Sequence, residues 1–141
     1  MRASLAGLFA LLAVAAAIAG PTSARADDCD NAQGGQAGLD ECYGKAFKAS
    51  DAELNKLYKE IQGRLKDDPD TTKLLVATQR AWVGFRDAEC DFQASAVSGG
   101  SAAPMIRSMC LDSQTTRRIE DFKTYLNCEE GDMSCPVPAA Q

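Results

Sequence analysis

The segment QRAWVGFRDAEC, Gln79 to Cys90, holds the only tryptophan of the chain, two arginines, two acids and a cysteine. At 100° per residue, Trp82 and Phe85 share an apolar arc with Leu74, Leu75, Ala81, Ala88 and Phe92. That periodicity predicts an amphipathic helix from about Pro69 to about Ser95. Glu89 falls between Phe85 and Trp82 on the wheel, and Gln79 and Arg86 sit at the edge of the arc. Polar groups so placed need partners, because burying them unpaired is costly. Arg86 and Glu89 are three residues apart and can meet on one face. We therefore expect a half-buried Arg86–Glu89 pair beside Trp82, extended by Asn55 or Arg118 from other helices. Arg80, Asp87 and Asp91 should lie on the opposite, solvated side. The segment reads as an interhelical seam with a polar network. Structural ion-pair networks gather charged groups as catalysis does, so the cluster does not by itself define an active site.

On the N-terminal side, KDDPDTT begins this helix. Asp68 suits an N-cap and Pro69 the first helical position. The aspartates lack the spacing and closing glutamate of a calcium loop. Upstream, Leu39, Tyr43, Phe47, Leu54, Leu57, Tyr58, Ile61 and Leu65 form one helical stripe. Ser50 with Glu53 matches a capping box, yet the stripe keeps phase across it, which favours one long helix, straight or bent. Downstream, SGGS at Ser98–Ser101 is a flexible turn. Ser101 or Pro104 starts a third helix carrying Met105, Met109, Leu111, Ile119, Phe122 and Leu126. Strand signals are weak throughout. The fold class is all-α: one long helix plus an αα-hairpin, stapled by disulfides.

Arg2, the apolar run from Leu5 to Ile18 and Ala24-Arg25-Ala26 read as a cleaved secretory leader, residues 1–26. No lipobox precedes Cys29. The helical domain then covers 27–126, and a Cys- and Pro-containing tail covers 127–141. Beyond the leader, 13 basic residues stand against 20 acids, a net charge of −7. That balance disfavours nucleic acid and anionic lipid and suits a basic partner. No membrane anchor is expected after cleavage, so the chain should be periplasmic or secreted.

The six cysteines, Cys29, Cys42, Cys90, Cys110, Cys128 and Cys135, all follow the leader. An even count in a small exported domain implies disulfides, although six cysteines allow about fifteen pairings. Pairing neighbours is the most economical choice. Structural zinc is disfavoured, with no CxxC and no histidine. The absence of histidine also excludes Ser-His-Asp and Cys-His catalysis. No acid pair with glycosidase geometry can be picked out. Met105 and Met109 read as core filler, and Tyr43 and Tyr58 as half-buried helix residues. No cofactor is implied.

Three stretches together resemble the LprI-like lysozyme inhibitor N-terminal domain family. They are LDECYGKAFKASDAELNKLYKEI with Cys42, Asp51, Leu54, Asn55 and Tyr58; QRAWVGFRDAEC; and, after Gly99–Ser101, CLDSQTTRRIEDF with Cys110, Thr115 or Thr116, and Arg118. The resemblance covers about Cys29 to Leu126. It implies a helical, disulfide-bonded, exported, non-enzymatic domain. The family's named member inhibits lysozyme and is a lipoprotein, whereas this chain lacks the lipobox. The Cys128–Cys135 tail is not part of the pattern. Lysozyme is thus the implied partner, and Ser98, Gly99, Gly100 and Ser101 the loop that could enter a cleft. The alternative is a periplasmic structural or interaction module with another partner.

Overall fold

The computed structural model describes residues 26–140, the side chain of Asp27 excepted. The leader expected at 1–26 thus lies outside the described residues but for Ala26. A 3-10 turn, Ala26–Asn31, precedes three helices: α1 Gly35–Arg64, α2 Pro69–Ala94 and α3 Ala103–Leu126. No strand occurs among the described residues.

The first helix, α1, runs unbroken for 30 residues. The capping box at Ser50 does not start a new helix. Ser50 Oγ donates to the Phe47 carbonyl at 3.0 Å, and Asn55 Nδ2 donates to the Asp51 carbonyl at 2.8 Å. Both side chains thus bond within a continuing helix. Glu53 faces Lys123 of α3 at 3.3 Å instead of reaching back to Ser50. At the start of α1, the lead-in chain rests on Gly38. A Cβ there would overlap the Gln33 carbonyl, so only glycine permits this approach.

The second helix, α2, begins as its sequence directs. The Asp68 carboxylate accepts from Thr71 N at 3.0 Å and from Thr71 Oγ1 at 2.7 Å, with Pro69 next to it in the first turn. A 3-10 turn, Ser95–Val97, and the Ser98–Ser101 loop lead into α3. The helices run up, down and up. The backbones of α1 and α3 lie close along their length, and α3 also packs on α2. The wider gap between α1 and α2 is spanned by long side chains, chiefly Arg86.

Leu54, Ile61, Leu65, Ile119, Phe122 and Val137 form the main core. Leu57, Tyr58, Leu75, Trp82, Tyr125 and Leu126 pack around it. A smaller cluster joins Cys90, Cys110 and Leu111 to Phe47. The bridges are Cys29–Cys42, Cys90–Cys110 and Cys128–Cys135, with no free cysteine. Arg64 Nη1 donates to the Leu126 carbonyl at 2.7 Å, tying the end of α1 to the end of α3.

Two features depart from the sequence reading. The first is the rotation of α2. Only Leu75 and Trp82 of its expected apolar arc pack inward. Leu74, Phe85 and Phe92 are 67%, 56% and 74% exposed, and Ala81 and Ala88 are exposed as well. The inward line is Thr72, Leu75, Gln79, Trp82, Arg86 and Cys90. The buried bridge from Cys90 and the guanidinium of Arg86 hold that face toward the neighbours. The second is the tail. The sequence marks it only as a stapled appendage, but Val137 is 3% exposed and belongs to the main core.

The tail therefore contributes stability. Val137→Ala should lower the unfolding free energy by about 1.5–3 kcal/mol. Replacing Cys128 and Cys135 together by serine should cost about 2–3 kcal/mol. The triple variant should lose less than the sum, because the clip places Val137; denaturant titrations of the four proteins measure this. The Asp68 cap should show in acid. Its bonds from Thr71 hold the carboxyl below its ordinary value of 3.8. Such a group stabilises the fold above its unfolded pKa, and the contribution vanishes as pH falls through the lowered folded value. Asp68→Asn keeps a cap but cannot titrate, so its melting temperature should fall less steeply than the parent's between about pH 5 and pH 2.

Candidate protein-binding surface

The seam around Trp82 is built from two buried arginines. Arg86 on α2 is 8% exposed and Arg118 on α3 is 7% exposed. The Arg86 guanidinium carbon lies 5.4 Å from the Phe47 ring centre and 5.1 Å from that of Trp82. Arg118 lies 5.9 Å from Trp82 and 4.7 Å from Phe122. The contacts thus alternate from Phe47 through Arg86, Trp82 and Arg118 to Phe122, so all three helices supply a ring or a cation. Ring faces attract cations through their quadrupole, which offsets part of the desolvation cost.

Carboxylates complete the seam. Arg86 Nε and Nη2 both lie 2.9 Å from Asp87 Oδ1, and Nη1 lies 3.4 Å from Asp51 Oδ1. Asn55 Nδ2 donates to Asp51 Oδ2 at 3.0 Å. Arg118 Nε donates to Gln79 Oε1 and Nη1 to Asp121 Oδ2, each at 3.2 Å. The expected Arg86–Glu89 pair does not form. Arg86 turns across the gap to Asp51 of α1, and Glu89 accepts from Gln93 at 2.9 Å, one turn along. Asp87, expected on the solvated side, is the closest carboxylate to Arg86. Asp91, also expected there, pairs with Arg107 of α3 at 2.6 Å. Trp82, Arg86, Asn55 and Arg118 thus belong to one seam, and Glu89 stands outside it. Trp82, Arg86 and Arg118 join helices, Asn55 bonds only Asp51 of its own helix, and Arg118 Nη2 is buried without a hydrogen-bond partner.

A second feature is an open groove of about 1140 Å³ between α1 and α3, with Tyr43, Ser50, Glu53, Asp112, Thr116, Glu120 and Lys123 among its walls. Lys123 Nζ bridges Glu120 at 3.0 Å and Glu53 at 3.3 Å. The bonds from Glu120, then Glu53, raise the Lys123 pKa above 10.5. Glu53 and Glu120 share one ammonium, whereas carboxylate-pair hydrolysis needs one carboxyl to protonate the leaving group and the other to activate water or attack. Among the described residues no group of three His, Cys, Asp or Glu could hold a metal. Sequence reading missed this groove, since its walls come from two distant helices and carry no motif.

Two outward features remain. The Ser98–Ser101 loop is exposed throughout. Gly99 adopts φ 77°, a conformation costly for other residues. Ser98 N, Gly100 N and Ala103 N donate to Ser95, Val97 and Gly100 carbonyls at 3.2, 3.0 and 3.2 Å. The loop is therefore a chain of tight turns, and the Cys90–Cys110 bridge links the two helices that carry it. The other feature is the outward face of α2, where Leu74, Phe85 and Phe92 meet solvent.

The domain is a disulfide-bonded three-helix bundle with two buried arginines and exposed apolar side chains on α2. Comparison with known proteins supplies the family: residues 29–122 match the family model described as Lysozyme inhibitor LprI, and the chain belongs to that family. It is 32% identical over 114 residues to the uncharacterized protein R02472 of Rhizobium meliloti (strain 1021), covering 73% of this chain and 81% of the relative. It is 30% identical over 105 residues to the uncharacterized protein YecT of Escherichia coli (strain K12), covering 65% of each. The chain thus spans a little under two thirds of YecT. No solved structure matches.

Substitution separates the seam from its neighbours. Arg86→Met should cost about 2 kcal/mol, since it removes both carboxylate contacts and the cation between two rings. Arg86→Lys should recover less than half of that, lacking the planar fork. Glu89→Gln should change stability by under about 0.5 kcal/mol. Chemical denaturation followed by Trp82 fluorescence checks all three, and an equal loss in Arg86→Met and Glu89→Gln would contradict the assignment.

Proposed function

We propose that this chain is an exported binding protein that inhibits lysozyme. Membership of the lysozyme inhibitor family across residues 29–122 carries the reading. Three features support it. Three disulfides suit an oxidising, extracytoplasmic compartment. The net charge of −7 beyond residue 26 speeds encounter with a basic partner. The Ser98–Ser101 loop is small and exposed, and its internal turns reduce the ordering cost of inserting it into a cleft. In this reading residues 1–26 are a leader that is removed, and the mature chain works in the periplasm or is secreted. The chain acts by occlusion, without a cofactor and without chemistry of its own.

The test is cell-wall lysis by a basic lysozyme with the oxidised chain in about micromolar excess. Lysis should slow, and the effect should weaken as salt rises from about 0.02 to 0.3 M, because screening shortens the reach of the acidic surface. Ser98→Arg combined with Ser101→Arg should weaken inhibition about tenfold or more while leaving helicity unchanged. Unchanged lysis at low salt would overturn the proposal. Capture of a different main partner from periplasmic extract would favour the envelope interaction module instead.

A further inference from the structure

The outward face of α2 is a continuous apolar strip. Leu74 and Phe92 lie about five helical turns apart on one line, and Phe85 falls about 20° from it. Thr78, Ala81 and Ala88 fill the line, and Ala77 and Gly84 flank it; all are exposed. Read in order, Leu74, Thr78, Ala81, Phe85, Ala88 and Phe92 alternate steps of four and three. That spacing is the seam of a two-helix coiled coil. The small residues would let a second helix approach closely.

The order of side chains along the strip selects its occupant. We propose that a second copy of this chain packs its own α2 antiparallel on the strip, with a two-fold axis at the height of Val83. Leu74 then meets the partner's Phe92, Thr78 the partner's Ala88, and Ala81 the partner's Phe85. Each central large residue faces a small one. The flanking charges follow the same symmetry. Lys73 and Arg80 lie on one flank in the first half of α2, and Asp87 and Asp91 on that flank in the second half. Antiparallel pairing brings Lys73 to the partner's Asp91 and Arg80 toward the partner's Asp87. Parallel two-fold pairing would set this flank against the partner's opposite flank, and neither pair would form. Asp87 and Asp91 already bond Arg86 and Arg107, yet their side chains remain 43% and 64% exposed and can accept a second cation. The strip is about 27 Å long and one helix wide. It covers less than the roughly 800 Å² per partner of a standard interface, so the dimer exchanges with monomer. This inference is independent of lysozyme binding.

Sedimentation of the oxidised chain should shift from monomer to dimer between about 1 µM and 1 mM. Phe85→Glu, at an exposed position, should keep its helicity and weaken dimerisation at least about tenfold, leaving monomer through most of that range. Cross-linking fixes the register. A Cβ at Gly84 meets nothing within 4 Å, and the residue lies near the proposed axis. Gly84→Cys should form an intermolecular disulfide confirmed by peptide mapping. Ala77→Cys, displaced by about 18 Å between antiparallel copies, should not. Monomer at every concentration overturns the proposal, as does an unaffected Phe85→Glu dimer. Efficient cross-linking at both positions excludes the antiparallel register and overturns it too.

Discussion

Trp82 sits between two guanidinium groups, and the orientation of α2 depends on that arrangement. Arg86 and Arg118 each lose most of their hydration. An isolated buried cation would be strongly destabilising, but here each meets two aromatic rings and at least one carboxylate. The net contribution of each is a small difference, about 2 kcal/mol at Arg86, since ring contacts and partly exposed acids exceed the desolvation cost only narrowly. What the seam supplies is selectivity. If α2 were rotated to bury Phe85 and Phe92, Arg86 would lose Asp51 and Phe47 together. The rotation that hydrophobicity alone favours is therefore the one that strands a charge.

A direct consequence appears on the outside. With Arg86, Gln79 and Cys90 facing inward, Leu74, Phe85 and Phe92 face water. One helix thus carries its polar anchors in the core and its largest apolar side chains on the surface. Exposed apolar side chains aligned over several turns differ from the scattered ones found on any protein. The surface and the seam are two sides of one choice of helix rotation, which links the internal electrostatics of the domain to how it meets other proteins.

Much of this was legible in the sequence, and the failures share a cause. The continuity of α1 follows from a stripe in constant phase from Leu39 to Leu65. The start of α2 follows from Asp68 and Pro69, whose chemistry is local. The α3 stripe places Leu111, Ile119 and Phe122 in the core, although Met109 of the same stripe is 38% exposed. The rotation of α2 was not legible, because a helical wheel counts apolar residues. It cannot see that rings on two other helices will receive a guanidinium. The Arg86 partner was misread for the same reason: sequence spacing offers Glu89, but Asp51 lies 35 residues away in the chain. Val137 was invisible to periodicity, being a single apolar residue between two prolines. Long-range contacts decided each case.

The disulfides do not hold the bundle together. Cys29–Cys42 ties the lead-in to α1, Cys90–Cys110 closes the hairpin of α2 and α3, and Cys128–Cys135 closes the tail, across separations of 13, 20 and 7 residues. No bridge crosses between α1 and the hairpin, or between the tail and either. These short loops limit the entropy of the unfolded chain within each unit but leave the units free to separate. Their assembly rests on noncovalent contacts: the Ile61–Phe122 core, Val137 of the tail within it, the Arg64 bond to Leu126, and the reach of Arg86 to Asp51. The covalent pattern guards local structure in an oxidising compartment. The relative placement of α1 and the hairpin, and with it the α1–α3 groove, is left to packing and to the arginine seam.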